Sequence, residues 1–248
     1  VVFAVAESPV TAGVIWAGTD DGYIHLTRDA GKTWKNVTPK DMPDFGRVSI
    51  IDASKFDINS AYAAVKRPLL DDFAPYIYRT KDWGRTWTKI VTGIAPTDYA
   101  HTVREDPVRK GLLFAGTERT VWASWDNGDH WQSLRYNLPG TSIRDLVVKD
   151  DDIAVGTHGR GIWILDDMGL LELSATAMSG EAALAPIAPA RQMILNSPQA
   201  WFGTGTFFAP NPDFNAGFHY YLRDAKANVQ IQISDAFGVV VRTLQGPA

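Results

Sequence analysis

Carboxylates are the first residues in this sequence whose type could carry chemistry. Cleaving a glycosidic bond takes two of them, held on either side of the linkage as acid and as base or nucleophile. Asp52, Glu105 and Asp145 are the candidates, from a set that also holds Asp71, Asp72, Asp106, Asp166 and Asp167. A second candidate is the loop His158-Gly159-Arg160-Gly161. Its glycines permit a sharp turn that exposes an imidazole beside a guanidinium, suited to an anionic or polar ligand. A tight strand connection, with His158 and Arg160 bonded to nearby carbonyls, accounts for the same residues more simply.

Other chemistries find no support. The 248 residues carry 24 Lys and Arg against 28 Asp and Glu, a net charge of -4. That balance gives no electrostatic footprint for nucleic acid. Cysteine is absent, which removes disulfides, thiolate metal sites and cysteine catalysis. The five histidines (His25, His101, His130, His158, His219) show no ligand-like spacing. Asp150-Asp151-Asp152 lacks the glycine and distal glutamate of a calcium loop. There is no phosphate loop and no serine elbow, and no apolar run long enough to span a membrane. No cofactor and no metal are therefore expected. The opening Val1-Val2-Phe3-Ala4-Val5 has no Met and no charged leader, and reads as the interior of a longer or processed product.

The elements that would position these residues are repeated. Thr27-Arg28-Asp29-Ala30-Gly31-Lys32-Thr33-Trp34 returns as Thr80-Lys81-Asp82-Trp83-Gly84-Arg85-Thr86-Trp87 and, more loosely, as Ser124-Trp125-Asp126-Asn127-Gly128-Asp129-His130-Trp131. The pattern is that of a hairpin turn. Asp29, Asp82 and Asp126 can accept backbone N–H bonds across it, and Gly31, Gly84 and Gly128 supply positive φ. Trp34, Trp87 and Trp131 open the next strand and can pack over the turn. All nine residues are therefore read as scaffold. Apolar strands recur around them: Ile15-Trp16-Ala17-Gly18-Thr19, Ala61-Tyr62-Ala63-Ala64-Val65, Leu113-Phe114-Ala115-Gly116-Thr117 and Ile153-Ala154-Val155-Gly156-Thr157. A unit of roughly 40 to 50 residues with about four short strands is the signature of a propeller blade. Blades are expected at about 1–40, 41–95, 96–138 and 139–174.

The turns resemble the Asp-box, or BNR, repeat of sialidase- and sortilin-type propellers. With Val103-Arg104-Glu105-Asp106-Pro107 and the run Gly156 to Asp167, the chain resembles secreted, multi-blade bacterial BNR proteins that carry a glycosyl hydrolase label. The resemblance implies an all-β propeller with Asp-box turns at its outer rim, in a bacterial protein exported to the periplasm or beyond. Sialidase-like enzymes hold an anionic substrate with three arginines from successive blades, and Arg47, Arg104 and Arg144 stand in three successive units here. The alternative is that each pairs locally, Arg104 with Glu105 or Asp106 and Arg144 with Asp145. No Tyr and Glu can be matched to the sialidase nucleophile pair.

Beyond Leu173 the composition turns rich in Ala and Pro, and 175–215 reads as a linker and irregular segment containing Trp201, Phe202, Phe207 and Phe208. Strands return over 216–248, with a hairpin at Asp235-Ala236-Phe237-Gly238. The resemblance implies the first strands of an Ig-like β-sandwich there. The expected function is a non-catalytic exported module that binds a protein or a glycan, with Trp83, Trp125 and Tyr136 suited to contacts. It packs against the remainder of its own propeller or another subunit of an envelope complex. The alternative is a glycoside hydrolase acting on extracellular polysaccharide through an inward-facing carboxylate pair.

Overall fold

The computed structural model describes residues 1–190, 205, 215–224 and 228–246. The chain divides into two compact units, Val1–Met168 and Gly169–Ala248. In the first, strands are short because a Gly, Asp or Pro cluster interrupts each apolar run. Each strand pairs antiparallel with the next, giving four sheets in sequence order. The first holds β1 (Val2–Glu7), β2 (Ile15–Thr19), β3 (Ile24–Thr27) and β4 (Lys35–Asn36). The second holds β5 (Arg47–Ala53), β6 (Ala61–Arg67), β7 (Asp72–Thr80) and β8 (Thr88–Lys89). The third holds β9 (Ala100–Glu105), β10 (Leu113–Thr117), β11 (Val121–Ser124) and β12 (Gln132–Ser133). The fourth has three strands, β13 (Ile143–Lys149), β14 (Asp152–Thr157) and β15 (Ile162–Leu165). These sheets are propeller blades: β1, β5, β9 and β13 adjoin in turn as the innermost strands.

Packing between blades repeats at two junctions. A Cβ on Gly18 of β2 would lie 2.4 Å from Val48 and 3.2 Å from Ile51 of the next blade. One on Gly116 of β10 would lie 2.6 Å from Ile143. At these two junctions the inner strand of the following blade thus seats its apolar residues where the second strand of the preceding blade has no side chain; between the second and third blades the equivalent position holds Ala64. Around these seats lie two continuous cores. One joins the first two blades through Trp16, Ile24, Val48, Ile51 and Tyr78; the other joins the second and third through Tyr62, Ile77, Val103, Leu113 and Trp131. At the two ends the same positions lack a neighbour within the unit. Val2 and Val5 are 57% and 66% exposed, and Ile162 and Ile164 are 77% and 59% exposed. Gly156, the counterpart of Gly18, would meet only the Asp145 carbonyl, at 3.6 Å.

Every inner strand also carries one extra residue at the same level. Pairing with the second strand skips Phe3, Ser49, His101 and Arg144 in turn. A bulge of this kind bends the strand and re-aims the side chain it releases.

In the second unit, the stretch expected as linker contains structure. After α1 (Gly169–Glu172), the Ser174 hydroxyl caps α2 (Ala175–Ser179) by accepting from Ala177 N. Then β16 (Ala182–Leu184) pairs with β17 (Tyr220–Leu222), and β18 (Val229–Ser234) with β19 (Val240–Gly246). The Asp235 carboxylate closes the latter hairpin by accepting from Phe237 N and Val239 N. Among the described residues these are two separate two-stranded ladders. Trp201, Phe202, Phe207 and Phe208 lie outside the described residues.

The seating rule has a direct test by chemical denaturation. Gly116→Ala is expected to cost about 1–3 kcal/mol by overpacking Ile143. Gly156→Ala, where the space is open, is expected to stay within about 0.5 kcal/mol of the parent.

Candidate functional site

The repeated turns are built from their own side chains. Asp29 accepts from Thr33 N at 2.8 Å, Thr33 Oγ1 at 2.6 Å and Thr27 Oγ1 at 2.7 Å. Asp82 repeats this with Thr86 and Thr80, and Asp126 with His130 and Ser124. The bonds from Thr33 hold the Asp29 carboxyl down at about 2. Gly31, Gly84 and Gly128 all have positive φ. The tryptophans reach the preceding blade: Trp87 Nε1 donates to Val37 O at 2.6 Å and Trp131 Nε1 to Ile90 O at 2.9 Å. Trp34 lies over Gly31 but is 45% exposed, because the unit places no blade before the first. These groups are committed to the rim.

Asp52 and Glu105 lie toward the far ends of their inner strands and Asp145 directly after its bulge, and the three enter a staple across blades two to four. Asp52 accepts from Glu105 N at 2.8 Å and Lys55 Nζ at 3.0 Å. Glu105 is 1% exposed and accepts from Ser54 Oγ, Lys55 N and Tyr62 OH. Arg104 lies between Asp52 at 3.6 Å and Asp145 at 3.1 Å, and Asp145 also accepts from Thr102 Oγ1. Arg104 therefore pairs with acids of both neighbouring blades rather than with Glu105 or Asp106.

The other end of the inner strands gathers a different set. The bulge residue His101 is buried, its side chain 1% exposed. Lys66 Nζ lies 2.9 Å from His101 Nδ1, and Glu118 Oε2 lies 2.7 Å from Nε2. An ammonium can only donate, so Nδ1 accepts and the Nε2 proton points at Glu118. Ser142 Oγ donates to the same Glu118 oxygen at 2.7 Å, and Tyr99 bonds Glu118 as well. The chain of bonds thus crosses from blade two through blade three to blade four. Burial pushes the His101 imidazole down to about 4. Burial opposes ionisation of Glu118, but the bonds from His101, Ser142 and Tyr99 outweigh it and hold the acid at about 2. Burial, then the charges of Arg144 and Arg47, keep the Lys66 ammonium below the ordinary lysine value.

Of the three arginines expected to converge, Arg47 and Arg144 share this end, while Arg104 serves the staple. Arg144 is a bulge residue and Arg47 opens its strand opposite Lys66. Arg104 stands three residues beyond the bulge of its own strand, about 10 Å further along. Arg47 also covers the Phe3 ring at 4.9 Å. The exposed His158 joins the same end through its backbone, its N–H donating to Ser142 O at 2.9 Å. Arg160 is exposed and turns its loop, its N–H donating to Thr157 Oγ1 and its carbonyl accepting from Trp163 Nε1. Lys66, His101 and Glu118 are the members that sequence reasoning missed. A signal existed: the residue after each repeated second strand motif is Asp20, Lys66, Glu118 and His158, ionisable in all four units.

No group of acids and histidines able to hold a metal occurs among the described residues, and no described helix is long and apolar enough to cross a membrane. No family model matches the chain. No curated protein matches it. Solved structures do. A GH74 enzyme of Niastella koreensis superposes with a TM-score of 0.53 at 19% identity, over 68% of this chain and 28% of that one. The GH74 xyloglucanase from Xanthomonas campestris gives 0.52 at 16%, over 75% and 32%. The fold is a β-propeller. YCF48 bound to a D1 peptide gives 0.48 at 18%, over 62% and 47%. The chain spans less than a third of either enzyme and about half of YCF48.

Two measurements probe the two ends. Removing Glu105 strands its buried donors, so Glu105→Ala is expected to cost about 3 kcal/mol in urea unfolding. Asp145→Ala, at an acid 61% exposed, should cost under about 1 kcal/mol. The unfolded chain protonates His101 near pH 6.5, whereas the folded chain does so at about 4. Between those values the unfolded state binds more protons, so stability falls as pH falls. Glu118, held at about 2, extends the loss below its ordinary value near 4.3. Melting temperatures from pH 7 to 4 should drop in the parent and drop less in His101→Gln.

Proposed function

We propose that this chain is a non-catalytic, exported propeller module that binds a protein or glycan through an anionic group at the Lys66–Arg144 end of its inner strands. One observation carries the non-catalytic part: Asp52, Glu105 and Asp145 are all spent on the inter-blade staple. Hydrolysis of a glycosidic bond needs two carboxyls facing a sugar across an open groove. Glu105 has no access to one, and Asp52 and Asp145 are drawn to opposite sides of Arg104.

The binding part rests on charge and aim. Arg47, Lys66 and Arg144 bring three cations near one another beside the mouth of the inner strands, with Glu118 as the nearby acid. The burial of Lys66 and its like-charged neighbours make an added anion favourable there, since it would relieve the repulsion. His158 and Arg160 stand on an exposed loop of the fourth blade and extend this surface. The blade faces at Val2, Val5, Ile162 and Ile164 are fitted to further blades, of the same propeller or of another subunit. Likeness to GH74 enzymes at under a fifth identity is a likeness of fold and lends the hydrolase alternative no residue.

The test is a glycan and polysaccharide panel read twice, for retention and for release of reducing ends. Retention without release is expected, with affinity for acidic members lowered about tenfold in Lys66→Gln/Arg144→Gln. Turnover by the parent that Glu105→Gln or Asp145→Asn abolishes would overturn the non-catalytic reading.

A further inference from the structure

A cavity of the propeller unit lies at the outer rim, between the first two blades. It has a volume of about 650 Å³ and is lined by Arg28, Lys35, Lys40, Arg85, Trp83 and Trp87, among others. A second cavity of about 530 Å³ adjoins it and shares Arg28, Lys35 and Trp83. The two are lobes of one groove divided by a stacked pair, in which the Arg28 guanidinium covers the Trp83 ring at 5.0 Å. The floor is fixed, since Trp87 Nε1 is bonded to Val37 O.

Three features of this groove bear on what it could hold, although Trp83 also packs against the core of the first two blades. First, Arg28, Lys35, Lys40 and Arg85 are all exposed, and among the described residues none of them enters an ion pair. The acids lining the lobes are Asp41 and the turn carboxylate Asp29, whose oxygens already accept from Thr27 and Thr33. A chain with net charge -4 thus collects four unpaired cations in one place. Second, Trp83 has φ 66, a left-handed conformation that a bulky side chain adopts at a cost. The equivalent turn positions hold Ala30 and Asn127. Backbone strain of this kind, retained where a smaller residue fits, points to a role for the side chain. Third, the Arg28 guanidinium sits over the Trp83 ring rather than on an acid, and a guanidinium can meet a carboxylate in two-pronged fashion.

We infer that this rim groove is a binding site for an acidic oligosaccharide, a chain of sugars bearing uronate carboxylates. The spread of cations along two lobes suits repeated single charges on an extended chain. The aliphatic residues are few and spread over both lobes, Leu26 and Val37 in the larger and Val14 and Ile58 in the smaller. Trp83 and Trp87 both line the larger lobe, aromatic surface against which the C–H faces of sugar rings can pack. The site is separate from the Lys66–Arg144 end and does not depend on the reading given for it.

The test is a calorimetric titration of the full chain with hexagalacturonate, beside cellohexaose as neutral control and hexaglutamate as acidic peptide. Hexagalacturonate is expected to bind, cellohexaose not to bind, and hexaglutamate to bind at least tenfold more weakly. Trp83→Ala, a residue the same turn already accepts at Ala30, and Arg28→Gln/Lys40→Gln should each weaken binding about tenfold. In a Lys66→Gln/Arg144→Gln background the rim substitutions should weaken binding by the same factor, since the two ends are separate. The double rim variant alters only exposed side chains, so its fold, checked by circular dichroism, is expected to be native. Absence of binding by the parent, equal binding by the folded rim variants, or hexaglutamate binding as tightly as the sugar would each overturn the proposal.

Discussion

Two pairs of blades in the propeller unit, the first with the second and the third with the fourth, are held in register by space that a missing side chain leaves. Gly18 and Gly116 stand in the second strands, and the next inner strand fills the gap with Val48 or Ile143. A close-packed interior admits neither void nor overlap, so the fit sets the height of one blade on the next as well as their distance. At the rim, the bond from Trp87 to Val37 ties the first pair of blades again, and the bond from Trp131 to Ile90 ties the second blade to the third. Shape on the inside and a directed hydrogen bond on the outside leave little freedom to slide.

Fixed heights are what give the inner strands two chemically different ends. Because Phe3, Ser49, His101 and Arg144 are released from pairing at a common level, their side chains can turn toward neighbouring blades. Ser49 Oγ uses this freedom to donate to His101 O at 2.7 Å. His101 uses it to reach both Lys66 and Glu118. Three residues beyond their bulges Asp52 and Arg104 meet, and Arg104 reaches on to Asp145, which directly follows the bulge of the fourth blade. The staple is an outcome of register. A slip of one residue would turn Arg104 to the other face of its sheet and leave Asp52 and Asp145 without it.

The blades are legible in the sequence because turns and strands report locally. Asp29, Gly31 and Trp34 need only one another to make a turn, so three copies of their spacing suffice to count units. The site is harder to read, because bulges are not local in that sense. Nothing in Ala100-His101-Thr102 marks His101 as the unpaired residue; the mark lies in its pairing with Gly116 and Thr117. Without the bulge, Arg47, Arg104 and Arg144 appear equivalent, each near the start of a unit. With it, they fall at three different levels. The ionisable residues after each second strand were legible in principle, since Asp20, Lys66, Glu118 and His158 follow matching motifs. They escape notice because their signs differ, and a search for like charges passes over them. In the second unit the Asp235 hairpin is legible for the same local reason as the rim turns, whereas the pairing of β16 with β17 joins segments more than thirty residues apart, about which local spacing is silent.

The distribution of commitments bears on function more than any single residue does. A hydrolase must keep a carboxyl uncommitted, so that it can give a proton and take it back within one cycle. Here the acids with the best positions accept two or three bonds each, and the buried one accepts from a serine, a backbone amide and a tyrosine. Moving a proton onto such a group means breaking bonds that also hold blades together. Cations divide into two sets. Arg104, Arg79 and Lys55 are paired in the structure, while Arg28, Lys35, Lys40 and Arg85 are exposed at the rim and, among the described residues, enter no ion pair, although Asp41 and Asp29 line the same groove. The proposed binding of anions rests on this contrast between exposed cations and a Glu105 closed off by its three donors.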